Sequence, residues 1–485
     1  MRLLDRVRVH CETLGETAAF RSGGEELSWH AVGERARAVA AFLRTGRGPV
    51  VVYGHKEPWM PVCFLACLLA GRPYLPADRS WPLERVRQAA EQAGAGLLLA
   101  VEELELPGVP RLGRWELEAL PVPAEWPEEE VSDRESAYLI FTSGSTGQPK
   151  GVPISRGSLD RFLCWSAGLP GVAEGARRGV LNQAGYAFDL SVADLYLSMW
   201  TGGTHTALTA KEQRDFSTLY PAVWKSKAGL LVGTPSFLRL CLTDVSFCQG
   251  QLPDVRAVFS CGEVLPPRTA GKLLSRFPGL ALYNAYGPTE ATCAVTAARI
   301  APEDCAGEEL PIGTWGGGTA ELSIEMDGRP CPPGTVGEIV LRGGALSSGY
   351  LAGGPGGFRE TPSGRAYTTG DLGVFRDGKL WFRGRKDCQI KYKGYRIEPE
   401  EIERTLETLP GVERAAVLPR RGPDGAVRGL TAFLEGEDLP DEAELSCRLA
   451  ERLPQWMIPG RYRTLPCMPL TPNGKCDRKR LKEWL

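Results

Sequence analysis

The chain predicts an α/β fold: a large N-terminal part built on parallel sheets and helices, followed by a smaller α+β unit. Three observations carry this. Short apolar β-rich runs alternate with helical patterns through most of the length. The runs Val255 to Phe259 and Leu280 to Tyr283 flank a segment, Pro267 to Phe277, with helical spacing and a proline start, which makes a βαβ unit and hence parallel strands. After Gly384 the texture changes to helix, strand, turn, strand and helix within about 100 residues, the size of a small independent domain.

The elements follow in order. MRLLDRVRVHCETLGE is a charged amphipathic start with no apolar segment ahead of a cleavage site, so it is not a secretory signal. Val50 to Tyr53 reads as a strand. WMPVCFLACLLAG, Trp59 to Gly71, is the longest apolar run and too short to span a bilayer, which makes it a buried helix. PVPAEWPEEEVSD, Pro121 to Asp133, is a surface connection. Ala137 to Phe141 and Gly229 to Val232 are further strands. Towards the C-terminus come a helix at Pro399 to Leu409, strand-like Val412 to Leu418 and Leu430 to Leu434, and a helix from Glu442 to Arg452.

Composition bounds the function. The 485 residues are 43% hydrophobic and 24% charged, an ordinary soluble globular balance with room for more than one domain. Lys and Arg total 57 against 59 Asp and Glu, so a net charge of -2 supplies no electrostatic footprint for nucleic acid. The 14 cysteines are scattered without CxxC pairs or zinc-site spacing and read as reduced thiols. A cytoplasmic protein acting on a small ligand or a protein partner, with no direct membrane insertion, is expected.

FTSGSTGQPKG, Phe141 to Gly151, places hydroxyls and glycines at a strand end, where backbone N–H groups and side-chain hydroxyls can hold phosphate oxygens. It does not fit GxxxxGK[ST], because Pro149 stands where the second glycine counted from Gly144 is needed. Alone, the run is equally consistent with a flexible surface loop.

Its companions decide the matter. YLIFTSGSTGQPKGV, FDLSVADLY, NAYGPTEAT, YTTGDLG, GRKDCQIKYKGYRIEPEEIE and LTPNGKCDRKRL stand in the order found in the adenylate-forming superfamily of acyl-CoA synthetases, luciferase and adenylation domains, and the chain resembles that superfamily along essentially its whole length. LNQAGYAFDLSVADLYLSMWTGGT, VGTPSFLRLCL and FSCGEVLPP are most similar to its D-alanine:D-alanyl carrier protein ligases.

The resemblance implies two half-reactions: a carboxylate attacks the α-phosphate of ATP to give an acyl-adenylate and pyrophosphate, then a thiol attacks the acyl carbon and AMP leaves. It implies a domain of residues 1–386 for ATP and amino acid, a mobile domain of residues 387–485, and a hinge at Asp387. It also assigns residues. Lys475 bridges the substrate carboxylate and the phosphate and is the catalytic candidate. Thr142, Ser143, Gly144, Ser145, Thr146 and Gly147 hold the β- and γ-phosphates with Lys150. Asn284, Ala285, Tyr286, Gly287, Pro288 and Thr289 form the adenine motif, in which Tyr286 stacks on the base and Asn284 reads its amino group. Glu290 is the Mg2+ ligand, a hard carboxylate for an ion shared with phosphate. Asp371 accepts both ribose hydroxyls, for which its two oxygens suit, and Arg385 reaches ribose or phosphate.

Asp189 marks an amino-acid substrate, since a desolvated carboxylate wants a cation and an α-ammonium supplies one. The competing reading of Asp189 is a cap on the helix that follows. Cys261, in Cys-Gly-Glu where many adenylation domains have Gly-Gly-Glu, would narrow the pocket near the α-carbon and sense handedness; otherwise it is a small buried hydrophobe. Cys293 stands where these ligases usually have valine.

The expected reaction is therefore activation of D-alanine and its transfer to the phosphopantetheine thiol of a separate carrier protein, the first step of (lipo)teichoic acid D-alanylation. With no carrier-like segment after Lys475, the enzyme is expected to act in trans. A free-standing adenylation enzyme for another small amino acid, in nonribosomal peptide synthesis, and an inactive ATP-binding sensor are the alternatives. A CoA ligase is disfavoured by Asp189.

Overall fold

The computed structural model describes residues 2–127, 132–144, 149–314, 318–354, 356–362, 364–423, 425–470 and 476–485. The chain divides into two compact units: Met1–Arg79, Gln92–Ile140 and Gly151–Lys386 form the first, and Ser80–Glu91, Phe141–Lys150 and Asp387–Leu485 the second.

Two sheets of the first unit are mainly parallel. One runs in the order Thr296–Arg299, Ala281–Tyr286, Ala257–Ser260, Leu230–Gly233, Val180–Asn182, His205–Ala207, Ala18–Ser22 and Glu25–Ser28, antiparallel only at its two outermost pairings. The other is ordered Arg111–Gly113, Leu97–Ala100, Val50–Gly54, Tyr74–Asp78, Ser136–Thr142 and Lys150–Ser155. Val50, Val51 and Val52 are fully buried, as expected for a parallel strand covered on both faces, and each such side chain contributes about 1.5–3 kcal/mol. The strands read from apolar runs thus occur within three residues of the expected positions, as does the crossover helix Pro267–Arg276 between two parallel strands.

Helix Trp59–Ala70 is buried along its whole length from Trp59 to Leu69, as an apolar surface all round the helix requires. Gly71 ends it at φ 74°, a left-handed conformation that favours glycine. No helix among the described residues is long and apolar enough to cross a membrane. None of the fourteen cysteines is in a disulfide.

A third, antiparallel sheet was not read from the sequence. It runs Gly313–Thr314, Lys379–Arg385, Gly364–Arg376, Gly337–Arg342, Glu321–Met326 and Arg329–Pro330, with Phe358–Thr361 paired to the long central strand. Its core face carries Ile324, Ile339, Leu341, Tyr367, Phe375 and Leu380. Its apolar stretches Ile339–Leu341 and Leu380–Phe382 are only three residues long, each bounded by charged residues and glycine, so the apolar signal is short.

In the second unit, Val412–Arg421 and Val427–Gly436 pair antiparallel and Arg461–Leu465 joins in parallel. Helices Pro399–Glu407 and Glu442–Ala450 bury Ile402, Leu406, Leu445 and Leu449 in the same cluster. A hairpin of Ile390–Tyr392 and Tyr395–Ile397 turns through Lys393 (φ 52°) and Gly394 (φ 85°), the doubly left-handed geometry of a tight two-residue turn. Tyr395 stacks on Trp456 with ring centroids 4.0 Å apart.

Candidate active site

The site of the first unit grows from the end of strand Ala281–Tyr286, buried at every position. Gly287 follows, and a Cβ there would lie 2.5 Å from Ala294 Cα and 2.8 Å from the Val295 nitrogen, so only glycine lets the chain fold back on itself. The return passes through a 3-10 turn, Thr289–Ala291, and two left-handed non-glycine residues, Thr292 (φ 62°) and Cys293 (φ 69°). That backbone is costly for a β-branched residue. It is held by the Thr292 hydroxyl donating to Ala345 O at 3.0 Å and Ser347 N–H donating to Glu290 O at 2.8 Å.

This fold-back spreads three neighbouring side chains towards three partners. The Thr289 hydroxyl donates to Asp189 Oδ2, although the two lie 100 residues apart in sequence. Glu290 is fully buried and accepts the Tyr350 hydroxyl at Oε1, 2.6 Å away. The Tyr286 hydroxyl donates to Asp371 Oδ2 at 2.6 Å, and burial, followed by the nearby Asp371 charge, pushes its pKa well up. Asp371 sits opposite Arg385 across two antiparallel strands, and that register makes them an ion pair. A second Arg385 N–H donates to Thr369 O at 3.3 Å.

Asp189 is half-buried. Helix Ser191–Thr201 has Leu190 at its N-cap and no side-chain cap. The Asp189 carboxylate accepts the Thr289 hydroxyl. Cys261 and Cys293 are both buried. Burial pushes the Cys293 thiol well up, with Cys261 and then Asp189 adding to the shift, so the two sulfurs and the carboxylate share one electrostatic neighbourhood. A thiol so disposed packs as a neutral group.

Asn284 is buried with its side-chain N–H donated to Pro311 O at 2.9 Å, which leaves its amide oxygen rather than that N–H available to a base. Ala285 is buried beside it, and Pro288 precedes the turn.

In the second unit, Thr142 is buried and its hydroxyl has no hydrogen-bond partner among the described residues. An orphaned hydroxyl at the start of a glycine-rich loop fits a ligand rich in oxygen acceptors. Ser143 Oγ donates to Arg396 O at 2.8 Å and accepts from Glu398 N–H at 3.1 Å. Gly144 N–H donates to Glu401 at 3.1 Å. Lys150 opens strand Lys150–Ser155. Asp387 is exposed and accepts from Gln389 N–H at 3.2 Å. Ser145, Thr146, Gly147 and Lys475 lie outside the described residues.

Tyr350 is the site residue that sequence reasoning missed. It lies in a glycine-rich stretch, GGALSSGYLAGG, with no motif to mark it.

A family profile described as AMP-binding enzyme matches residues 7–351. A relative from Bacillus velezensis, named D-alanine--D-alanyl carrier protein ligase, is 37% identical over 516 aligned positions covering 100% of this chain and 99% of its own. One of the same name from Bacillus cytotoxicus is 36% identical, covering 99% of each chain. Among solved structures, PA1221, a nonribosomal peptide synthetase protein containing adenylation and PCP domains, superposes with a TM-score of 0.83 at 25% identity, covering 100% of this chain and 84% of that one.

Proposed function

The chain belongs to the AMP-binding enzyme family, and on that premise we propose that it activates D-alanine with ATP as D-alanyl-AMP and passes the D-alanyl group to the phosphopantetheine thiol of a separate carrier protein, feeding D-alanylation of teichoic acid. The observation that carries this reading is Asp189: a half-buried carboxylate anchored by the Thr289 hydroxyl, next in sequence to the buried Glu290. It offers a fixed negative charge to the α-ammonium of an amino acid, which a fatty acid lacks.

The first half-reaction needs the substrate carboxylate delivered in line with the α-phosphate and the growing negative charge met by fixed donors and cations. Asp189 holds the ammonium end, with the Thr289 hydroxyl fixing its rotamer. Cys261 and Cys293, both buried and near Asp189, narrow the space for the substrate side chain and favour a small one. Asp371 takes the ribose hydroxyls. Its bonds to Tyr286 and Arg385 hold the carboxylate in place, and the sugar hydroxyls would join or replace the Tyr286 donor. The phosphate loop beginning at Thr142 holds the triphosphate, and Lys475 approaches the reacting oxygens.

Glu290 fits a magnesium ion. It is a fully buried carboxylate with one oxygen committed to Tyr350, and an ion that keeps waters and phosphate oxygens in its shell requires few protein ligands. When bound, such an ion neutralises charge on the phosphate oxygens. For the second half-reaction, the small domain turns about Asp387, Lys475 withdraws, and the Lys391–Tyr395 hairpin faces the incoming thiol.

The test is pyrophosphate release with ATP and Mg2+ across a panel of D- and L-amino acids and short fatty acids. Preference for D-alanine, with transfer to a phosphopantetheinylated carrier, is the expected result. Preference for an L-amino acid would assign the enzyme to peptide synthesis, and silence across the panel would overturn the assignment as an enzyme.

A further inference from the structure

Lys56 is a charged residue for which the proposed chemistry has no use, yet it is only 1% exposed. Burying an ammonium costs several kcal/mol unless the site returns strong interactions, so a lysine in this position has to hold something. It follows strand Val50–Gly54, and its Nζ donates to Gln183 O at 2.8 Å.

Gln183 opens the loop that ends at Asp189, and the loop is tied at nearly every step. Gln183 O also accepts from Gln213 Nε2 at 3.2 Å. Ala184 O accepts from Asn182 Nδ2 at 3.0 Å, and the same amide nitrogen donates to Asp194 at 2.8 Å. At Gly185 the backbone runs against the His55–Asp78 pair, so that a Cβ there would sit 3.5 Å from Asp78 Oδ2. Phe188 N–H closes back onto Gly185 O at 2.9 Å, and Ser191 Oγ donates to Phe188 O at 2.7 Å. Asp189 is the next residue. Among these ties the Lys56 ammonium is the charged donor, and a charge-assisted hydrogen bond is roughly twice as strong as a neutral one.

We propose that Lys56 is a positioning residue for amino-acid recognition: its buried ammonium fixes the Gln183 carbonyl and through it the loop that presents Asp189 to the substrate. The proposal rests on the reading of Asp189 given above. Misplacing a binding group by about 1 Å can cost up to about 100-fold, and a loop without its charged tether is free to drift on that scale.

The arrangement also makes the tether sensitive to pH. Burial lowers the Lys56 pKa to about 8, against the pull of Asp194, Asp78 and Glu212. The remaining titratable neighbours, His55 and His205, are paired with Asp78 and Asp194. Above pH 8 the ammonium gives up its charge and the tether weakens to a neutral amine bond.

Pyrophosphate-release kinetics on Lys56→Met, Lys56→Arg, Asp189→Asn and the double variant Lys56→Met/Asp189→Asn test this. Lys56→Met, which fills the same space without charge, is expected to raise the KM for D-alanine roughly tenfold and leave the KM for ATP within about twofold. Lys56→Arg should recover most of the loss. The double variant should be scarcely worse than Asp189→Asn alone, since both changes remove one interaction. The wild-type KM for D-alanine should rise as pH passes 8 more steeply than that of Lys56→Arg, in which only the substrate ammonium titrates. Should Asp189→Asn leave the D-alanine KM unchanged, the recognition reading falls and the proposal with it. Should Asp189→Asn raise it while Lys56→Met does not, or should Lys56→Met weaken ATP and D-alanine alike, the positioning role alone is overturned.

Discussion

Asp189→Asn isolates the charge proposed to hold the substrate ammonium. Asparagine keeps the shape and still offers an oxygen to the Thr289 hydroxyl, so the local hydrogen bond survives. The N-cap of helix Ser191–Thr201 is Leu190, one residue after the substitution. What is lost is the pairing of a half-buried carboxylate with an ammonium. Truncating one member of a desolvated pair costs about 2–5 kcal/mol, and half-burial places this one near about 2–3 kcal/mol. At about 1.36 kcal/mol per tenfold, the KM for D-alanine should rise roughly 30- to 160-fold. The ATP requirement, met by other residues, should move less than about twofold. Steady-state pyrophosphate release, with each substrate varied at saturating concentration of the other, reads both. Asp189→Ala, which also strands the Thr289 hydroxyl, should be at least as severe. A parallel rise in both KM values, or a fall in kcat with neither KM changed, would refute ammonium binding at Asp189.

Lys475→Ala should abolish pyrophosphate release while leaving the thermal midpoint unaltered; near-normal release would remove its catalytic role. Cys261→Ala should relax the preference between D- and L-alanine, and an unchanged turnover ratio would show that the thiol does not sense handedness. Asp387→Pro should permit adenylation and block transfer to the carrier, whereas equal loss of both would indicate misfolding. Glu102 gives a pH-dependent stability: burial and its bond to Glu57 raise its pKa from 4.5 to about 8. The folded chain therefore binds this proton more tightly than the unfolded one, a contribution fully present below the ordinary carboxyl range and lost as pH climbs towards 8. Glu102→Gln should raise the thermal midpoint more at pH 8 than at pH 5, and an equal shift at both would count against a shared proton.

The parallel strands were legible because burial on both faces makes them continuous apolar runs; VVVY and LIF can hardly be anything else. The antiparallel sheet of residues 313–385 was not, because its apolar stretches, such as Ile339–Leu341 and Leu380–Phe382, are only three residues long and are bounded by charged residues and glycines. The same contrast holds at the site. Asp189, Glu290 and Asp371 stand in motifs with fixed spacing. Which residue meets which is not written in those motifs: Thr289 meets Asp189 across 100 residues and Tyr350 meets Glu290 across 60. Such pairings are set by how strands are ordered in a sheet, which no local window contains. Lys56 is hidden for the opposite reason, since a lysine beside a glutamate in GHKEP reads as exposed, and only burial shows otherwise.

The segment from Asn284 to Val295 also explains why the site tolerates backbone strain. Thr292 and Cys293 sit in the left-handed region, a conformation that costs on the order of 1–3 kcal/mol for each non-glycine residue. A relaxed extended path would carry the chain away from strand Ala281–Tyr286, and Gly287 could no longer pack against Ala294. With that packing lost, Thr289 and Glu290 would leave the short turn from which one reaches Asp189 and the other Tyr350. The strain therefore holds a geometry in which consecutive residues reach different partners, Thr289 the Asp189 carboxylate and Glu290 the Tyr350 hydroxyl. Cys293 belongs to the same turn, so its thiol shares the neighbourhood of Cys261 and Asp189 only while the left-handed backbone is kept. A β-branched residue there must bear the same φ with less rotamer freedom, which makes cysteine the less strained choice at that position.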